Sequence, residues 1–195
     1  MKIRIGVSAR HVHLNRQDLD TLFGDGYEFE ISKDLTQSGQ YASTAEVDLI
    51  GPEGEIKGVR ILGPCRNETQ IEVSKTDGYR LGLNAPLRLS GKIIGSPGVK
   101  LIGPKGEVEL NEGVIVAKRH IHVNPQQASK FGITNAQHVK VYVEGPRALI
   151  FEEVEVRVND DFDATFHIDT DEANAAGVGD LEEEGKIITG ELKFD

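Results

Sequence analysis

At 195 residues the chain is long enough for one large domain or two small ones, and it can bury a core without covalent staples. A formal net charge of -10 excludes the basic footprint of a general nucleic-acid binder, so an anionic ligand must be held by individually placed arginines. No apolar run approaches the ~18 residues of a membrane span, the N-terminus lacks a signal-peptide core, and the single cysteine fits a reducing compartment; these features favour a cytosolic protein with no membrane partner.

Sparse aromatics, the absence of Trp and 22 glycines suit short strands joined by tight turns, so the chain reads as mostly β. Residues 3–7 alternate as Ile-Arg-Ile-Gly-Val and predict a strand running into Arg10-His11-Val12-His13. Asn15 is a candidate N-cap for a short helix over Asp18–Phe23, stopped by Gly24. The polar stretch 24–44 predicts a loop or small hairpin excursion. Alternation returns over 46–50, 56–62 and 69–74, punctuated by turns at Gly51-Pro52-Glu53-Gly54 and Gly63-Pro64, which is the spacing of a barrel or sandwich meander.

Residues 98–117 repeat that grammar, with Leu101-Ile102, the turn Gly103-Pro104-Lys105-Gly106, and strands over 107–110 and 114–117. Next come Arg119-His120-Ile121-His122 and a second short helix over Gln126–Phe131, with Asn124 as N-cap, Pro125 at its start and Gly132 as its stop. Strands over 139–143, 149–158 and 165–168 follow, and the tail carries one at Lys186-Ile187-Ile188. Strand, histidine pair and capped helix is therefore a repeated unit.

In a strand, residues i and i+2 share a face, so each Arg-His-x-His presents two imidazoles side by side. Neutral imidazole is a common ligand for zinc and related metals. A lone His-x-His also suits a polar strand face, and Glu72 alone would suit an exposed strand carboxylate; the duplication favours metal. Setting Ile71–Leu83 against Phe166–Val178, with one residue inserted at Lys75, brings their Thr-Asp dipeptides into register and places His167 opposite Glu72. The expected sets are His11, His13 and Glu72, and His120, His122 and His167, each leaving a fourth position for water or substrate. Arg66, placed on a strand directed at the first set, has a guanidinium suited to bidentate grip on phosphate. Arg10 and Arg119 are either anion ligands or surface charge. Cys65 reads as a small turn residue and His138 as a surface residue.

Ser8-Ala9-Arg10-His11-Val12-His13-Leu14, Gly63-Pro64-Cys65-Arg66-Asn67-Glu68-Thr69-Gln70-Ile71-Glu72 and Lys118-Arg119-His120-Ile121-His122-Val123 resemble the phosphate propanoyltransferase family of bacterial phosphotransacylases, over nearly the whole chain. The resemblance implies interconversion of a short-chain acyl-CoA, propanoyl-CoA or acetyl-CoA, plus phosphate with an acyl phosphate plus CoA. It implies two β-barrels capped by short helices, one over 10–117 and one from 118–195 completed by residues 1–9. It further implies two zinc ions on the six residues above, Arg66 as the catalytic, phosphate-binding arginine, and CoA contacts from Val7, Ser8, Ala9, Arg60 and Asn174. A homo-oligomer is compatible with it.

The chain departs from the family where Glu53 replaces a basic residue in the first Gly-Pro-x-Gly turn, which puts a nucleotide-phosphate contact there in doubt. Relatives inside bacterial microcompartments carry an N-terminal targeting extension; the core here begins almost at once, which favours a free cytosolic enzyme. Competing readings are a metal-dependent acyl-CoA hydrolase and a non-catalytic, metal-stabilised binding module.

Overall fold

The structure is a computed structural model that describes residues 2–179 and 184–188. In chain order, β1 (Lys2–Ser8) leads into β2 (His11–His13) and α1 (Arg16–Phe23). Next come β3 (Ile31–Asp34), β4 (Tyr41–Ile50), β5 (Glu55–Gly63), β6 (Gln70–Val73) and α2 (Lys75–Leu81). The strands β7 (Leu87–Arg88), β8 (Lys100–Ile102), β9 (Glu107–Glu109) and β10 (Val114–Ala117) follow. The remainder is β11 (His120–Val123), α3 (Pro125–Phe131), β12 (His138–Val143), β13 (Leu149–Val158), β14 (Thr165–Asp169), α4 (Thr170–Ala176) and β15 (Glu184–Ile188). The mostly-β reading holds, with helices confined to short caps. The acidic part of the expected tail lies outside the described residues, whereas its strand is β15.

Two compact units result. One, formed by β1, Thr36–Ser38 and the chain from Lys118, is a closed barrel in the order β1-β14-β11-β13-β12-β15. The other, formed by Ala9–Leu35 and Gly39–Ala117, is a nine-stranded sheet running β7-β10-β6-β2-β5-β4-β8-β9, with β3 paired to β4 as a small hairpin in the expected excursion. Their hydrogen bonding matches strand for strand. β2 lies antiparallel to β6 and parallel to β5, as β11 lies to β14 and β13. β10 lies parallel to β6 as β1 does to β14. The strand that feeds each histidine pair therefore hydrogen-bonds into the opposite unit.

Alternation creates the cores. On β1, Ile3 and Ile5 are buried while Lys2 and Arg4 are exposed. Ile5, Ile121, Val141, Val156 and Phe166 meet inside the barrel; Val12, Leu49, Ile61, Ile71 and Leu101 meet inside the second unit. Phe166 has no solvent exposure. Truncation to alanine leaves a cavity as well as losing transfer energy, so Phe166→Ala is expected to cost about 3–5 kcal/mol, measured as a shift in the urea midpoint.

The helices have seven or eight residues, too short to persist alone, and are fixed by caps and docking. Asn15 and Asn124 accept from Asp18 N and Gln127 N as N-caps. Sequence patterning missed α2 and α4, although both carry capping boxes, Ser74 with Asp77 and Asp169 with Glu172, and end at left-handed Gly82 and Gly177. Caps, third residues and stops fall at matched steps, so the inserted residue expected at Lys75 is not there. The Gly-Pro-x-Gly turns dock helix ends. A Cβ at Gly51 would lie 2.1 Å from Leu81 O, and one at Gly103 would lie 2.5 Å from Leu22 O, so only glycine permits the approach. Glu53 and Lys105 donate backbone N–H groups to those carbonyls, satisfying helix ends that would otherwise lack partners. Among the described residues no helix is long and apolar enough to cross a membrane.

Candidate functional site

Strand pairing assembles both histidine sets. His11 stands opposite Glu72 across β2 and β6, and His120 stands opposite His167 across β11 and β14. Because side chains repeat every second residue, His13 and His122 share those faces. Within each trio of His11, His13 and Glu72, or His120, His122 and His167, the donor atoms lie within 4.8 Å of one another. All six sequence-predicted ligands are thereby brought together in threes.

The surroundings aim the rings. His11 Nδ1 donates to Ala9 O and His120 Nδ1 donates to Lys118 O, each at 2.8 Å, which directs both Nε2 atoms inward. A backbone carbonyl holding the outer nitrogen is the usual way a metal-ligating histidine is oriented. His11 Nε2 lies 3.5 Å from Glu72 Oε2. The Nδ1 atom of His13 is buried and makes no hydrogen bond, a costly state that a metal ion would relieve. In the other unit the His120 and His167 rings stack at 5.1 Å, and His122 stacks on Phe162 at 3.9 Å while its Nδ1 meets Gln37 Nε2 at 2.7 Å. Each donor set could hold a metal ion of the kind that imidazole and carboxylate ligate.

Both inner histidines are held neutral, the form a metal requires. Burial, reinforced by His11 and Arg66, lowers the His13 pKa to about 2. Burial first, then His120, His167 and Arg157, pushes His122 well below the ordinary imidazole range. An unfolded histidine takes up its proton near pH ~6.5, whereas the folded rings do not. Below that pH the unfolded state binds more protons, so stability falls as pH drops from about 6.5 towards 2. Metal-free protein is expected to show a melting temperature that declines over this window, with a shallower decline in His13→Gln.

Arg66 is not on a strand, as the sequence suggested, but in the loop between β5 and β6, which begins at the cis Gly63-Pro64 bond. Its backbone N donates to Leu14 O, and Nη1 donates to Ser90 Oγ at 2.9 Å. Gln70, to which the sequence reading gives no role, donates from Nε2 to both Ser90 Oγ at 2.8 Å and Glu72 Oε1 at 2.7 Å. Arg66, Asn67, Glu68, Gln70, Gly91 and Ile93 line a cavity of about 380 Å³. Its walls carry the Arg66 guanidinium and the Glu68 carboxylate among amide and apolar surface, so an anion there is held by Arg66 and turned away from Glu68.

Arg10 and Arg119 are bound to capping acids. Arg10 makes two 2.8 Å contacts with Asp77, and Arg119 reaches Glu172 at 2.8 Å. Burial raises the Cys65 thiol above its ordinary value, consistent with an inert turn residue. His138 is exposed beside Lys118, Glu153 and Glu155.

Val7 and Ser8 end β1, where Ser8 pairs with Asp169, the N-cap of the helix that carries exposed Asn174. Ala9 supplies the carbonyl that orients His11. Arg60 donates to Ser43 O at 2.9 Å and to Glu46 Oε1 at 2.8 Å. Glu53 packs over Gly82 at the end of α2, where a Cβ would fall 2.5 Å from its Cγ.

Residues 4–179 match the family described as phosphate propanoyltransferase. A phosphate propanoyltransferase of Thermotoga maritima is 54% identical, the aligned part covering 92% of this chain and 87% of the relative. One from Clostridioides difficile is 51% identical, with 90% and 84% covered, and one from Citrobacter koseri is 47% identical, with 96% and 89% covered.

Proposed function

Since the chain belongs to the phosphate propanoyltransferase family and is an acyltransferase acting with phosphate, we propose that it is zinc-dependent, interconverting a short-chain acyl-CoA and phosphate with acyl phosphate and CoA, with propanoyl-CoA or acetyl-CoA as the thioester. The observation that carries the zinc reading is the buried, unbonded Nδ1 of His13 within a trio of converging donors. Two ions are assigned, one to His11, His13 and Glu72 and one to His120, His122 and His167.

When bound there, zinc supplies Lewis acidity toward the thioester sulfur or carbonyl oxygen. Arg66 holds phosphate through its guanidinium and turns one oxygen toward the acyl carbon. That oxygen forms the new bond as the carbon–sulfur bond breaks, the electron pair leaves with the CoA thiolate, and the proton of the hydrogen phosphate passes to that thiolate, so the products are acyl phosphate and CoA. The attack is direct: the six metal-site side chains are committed as ligands, and the Cys65 thiol is held protonated, which leaves neither as an acyl acceptor. The cavity beside Arg66, at about 380 Å³, lies at the small end of ligand sites and suits phosphate with a short acyl chain. CoA is assigned to Val7, Ser8, Ala9, Arg60 and Asn174, with Arg60 exchanging Glu46 for a CoA phosphate.

The test is thiol release from acetyl-, propanoyl- and butanoyl-CoA with and without phosphate. Release that requires phosphate and yields acyl phosphate supports the reading; release that proceeds equally without phosphate assigns hydrolysis and overturns it. A trapped acylated protein would overturn direct attack.

A further inference from the structure

Gln70 carries a chemical asymmetry that the metal ligands do not explain. Only 2% exposed, it lies on β6 opposite His13. Its Oε1 accepts from Gly91 N at 2.7 Å, which fixes the amide orientation, since a flipped amide would set Nε2 against that N–H. Both Nε2 hydrogens are therefore directed, one to Glu72 Oε1 and one to Ser90 Oγ. Ser90 Oγ also accepts from Arg66 Nη1. One buried amide thus joins the carboxylate of the first trio to the guanidinium beside the cavity, and pins the turn carrying Ser90 through Gly91. The matching residue opposite His122 is Thr165, whose Oγ1 is buried and makes no hydrogen bond, so this position supplies no corresponding link.

We propose that Gln70 is a positioning residue that couples the first metal site to the anion pocket. By occupying Glu72 Oε1 it leaves Oε2 turned to His11 Nε2, so Glu72 serves as a one-oxygen ligand; by holding Ser90 it sets the direction of Arg66. The inference rests on the zinc reading of the trio. Loss of a carboxylate's hydrogen-bonded support lowers metal affinity by roughly 10–100-fold, and here the effect falls on one ion of two.

The test uses full-length Gln70→Glu, which keeps the acceptor for Gly91 N–H and replaces both donors. Zinc affinities are measured by chelator competition alongside Michaelis constants for phosphate and acyl-CoA. The expected result is one ion weakened roughly 10–100-fold, the other unchanged, and the phosphate KM raised more than the acyl-CoA KM. Both ions held at wild-type affinity with an unchanged KM ratio would overturn the coupling. If Gln70→Glu does not fold, Ser90→Ala decides it: the coupling requires a raised phosphate KM with unaltered zinc affinity, and an unaltered phosphate KM overturns it. A wild-type chain that binds no zinc defeats the underlying metal reading instead, so the two failures are distinct.

Discussion

Stripping the metal from the folded protein with a chelator is expected to lower phosphate-dependent CoA release by roughly 10²–10⁴-fold, with zinc restoring it. The magnitude follows from the several kcal/mol a Lewis-acidic ion contributes to the transition state, at about 1.4 kcal/mol per tenfold in rate. The first trio also carries a cost that metal would relieve: His13 is buried and neutral with Nδ1 unbonded, so the metal-free state retains an uncompensated polar atom. Loading should therefore raise the melting temperature as well as activity. Undiminished activity in a preparation shown to be metal-free would rule out the proposed chemistry.

The second large effect concerns Arg66. Arg66→Ala is expected to lower kcat/KM for phosphate by roughly 10²–10³-fold, the loss typical of removing one preorganised donor from developing charge, while the KM for acyl-CoA changes little. Arg66→Lys should restore only part of it, because an ammonium lacks the planar fork that both engages Ser90 and grips an anion. The substitution also removes one cation acting on His13, but burial is the larger cause of that ring's low pKa, so the metal trio should survive. Steady-state kinetics with each substrate varied separately decide this; an unchanged phosphate dependence would remove Arg66 from its assigned role.

The duplicated histidine pairs were legible because a two-residue period fixes which side chains share a strand face, and pairing then needed only a partner strand. His11 against Glu72 and His120 against His167 are cross-strand neighbours, so a sequence register was already a spatial one. The helices after β6 and β14 were hidden by their length: Lys75–Leu81 and Thr170–Ala176 span about two turns, too little to show a 3.6-residue period. Their capping boxes were the readable signal. The roles of Arg10 and Arg119 were invisible for a related reason, since their partners, Asp77 and Glu172, are the third residues of those unrecognised helices. Gln70 stands in the Gly63–Glu72 stretch without a role of its own and Ser90 stands in no motif; a neutral amide gains its role only from what the fold places at its two ends. The sequence places Arg66 on the strand that follows the Gly63-Pro64 turn, but that strand begins only at Gln70, which leaves Arg66 in the connecting loop.

The most direct measurement is zinc stoichiometry by native mass spectrometry on the wild-type chain, His13→Ala and His122→Ala. Two independently held ions predict two zinc per wild-type chain and one in each variant. Two ions retained in both variants, or none in the folded wild-type chain under saturating zinc, would contradict the assignment.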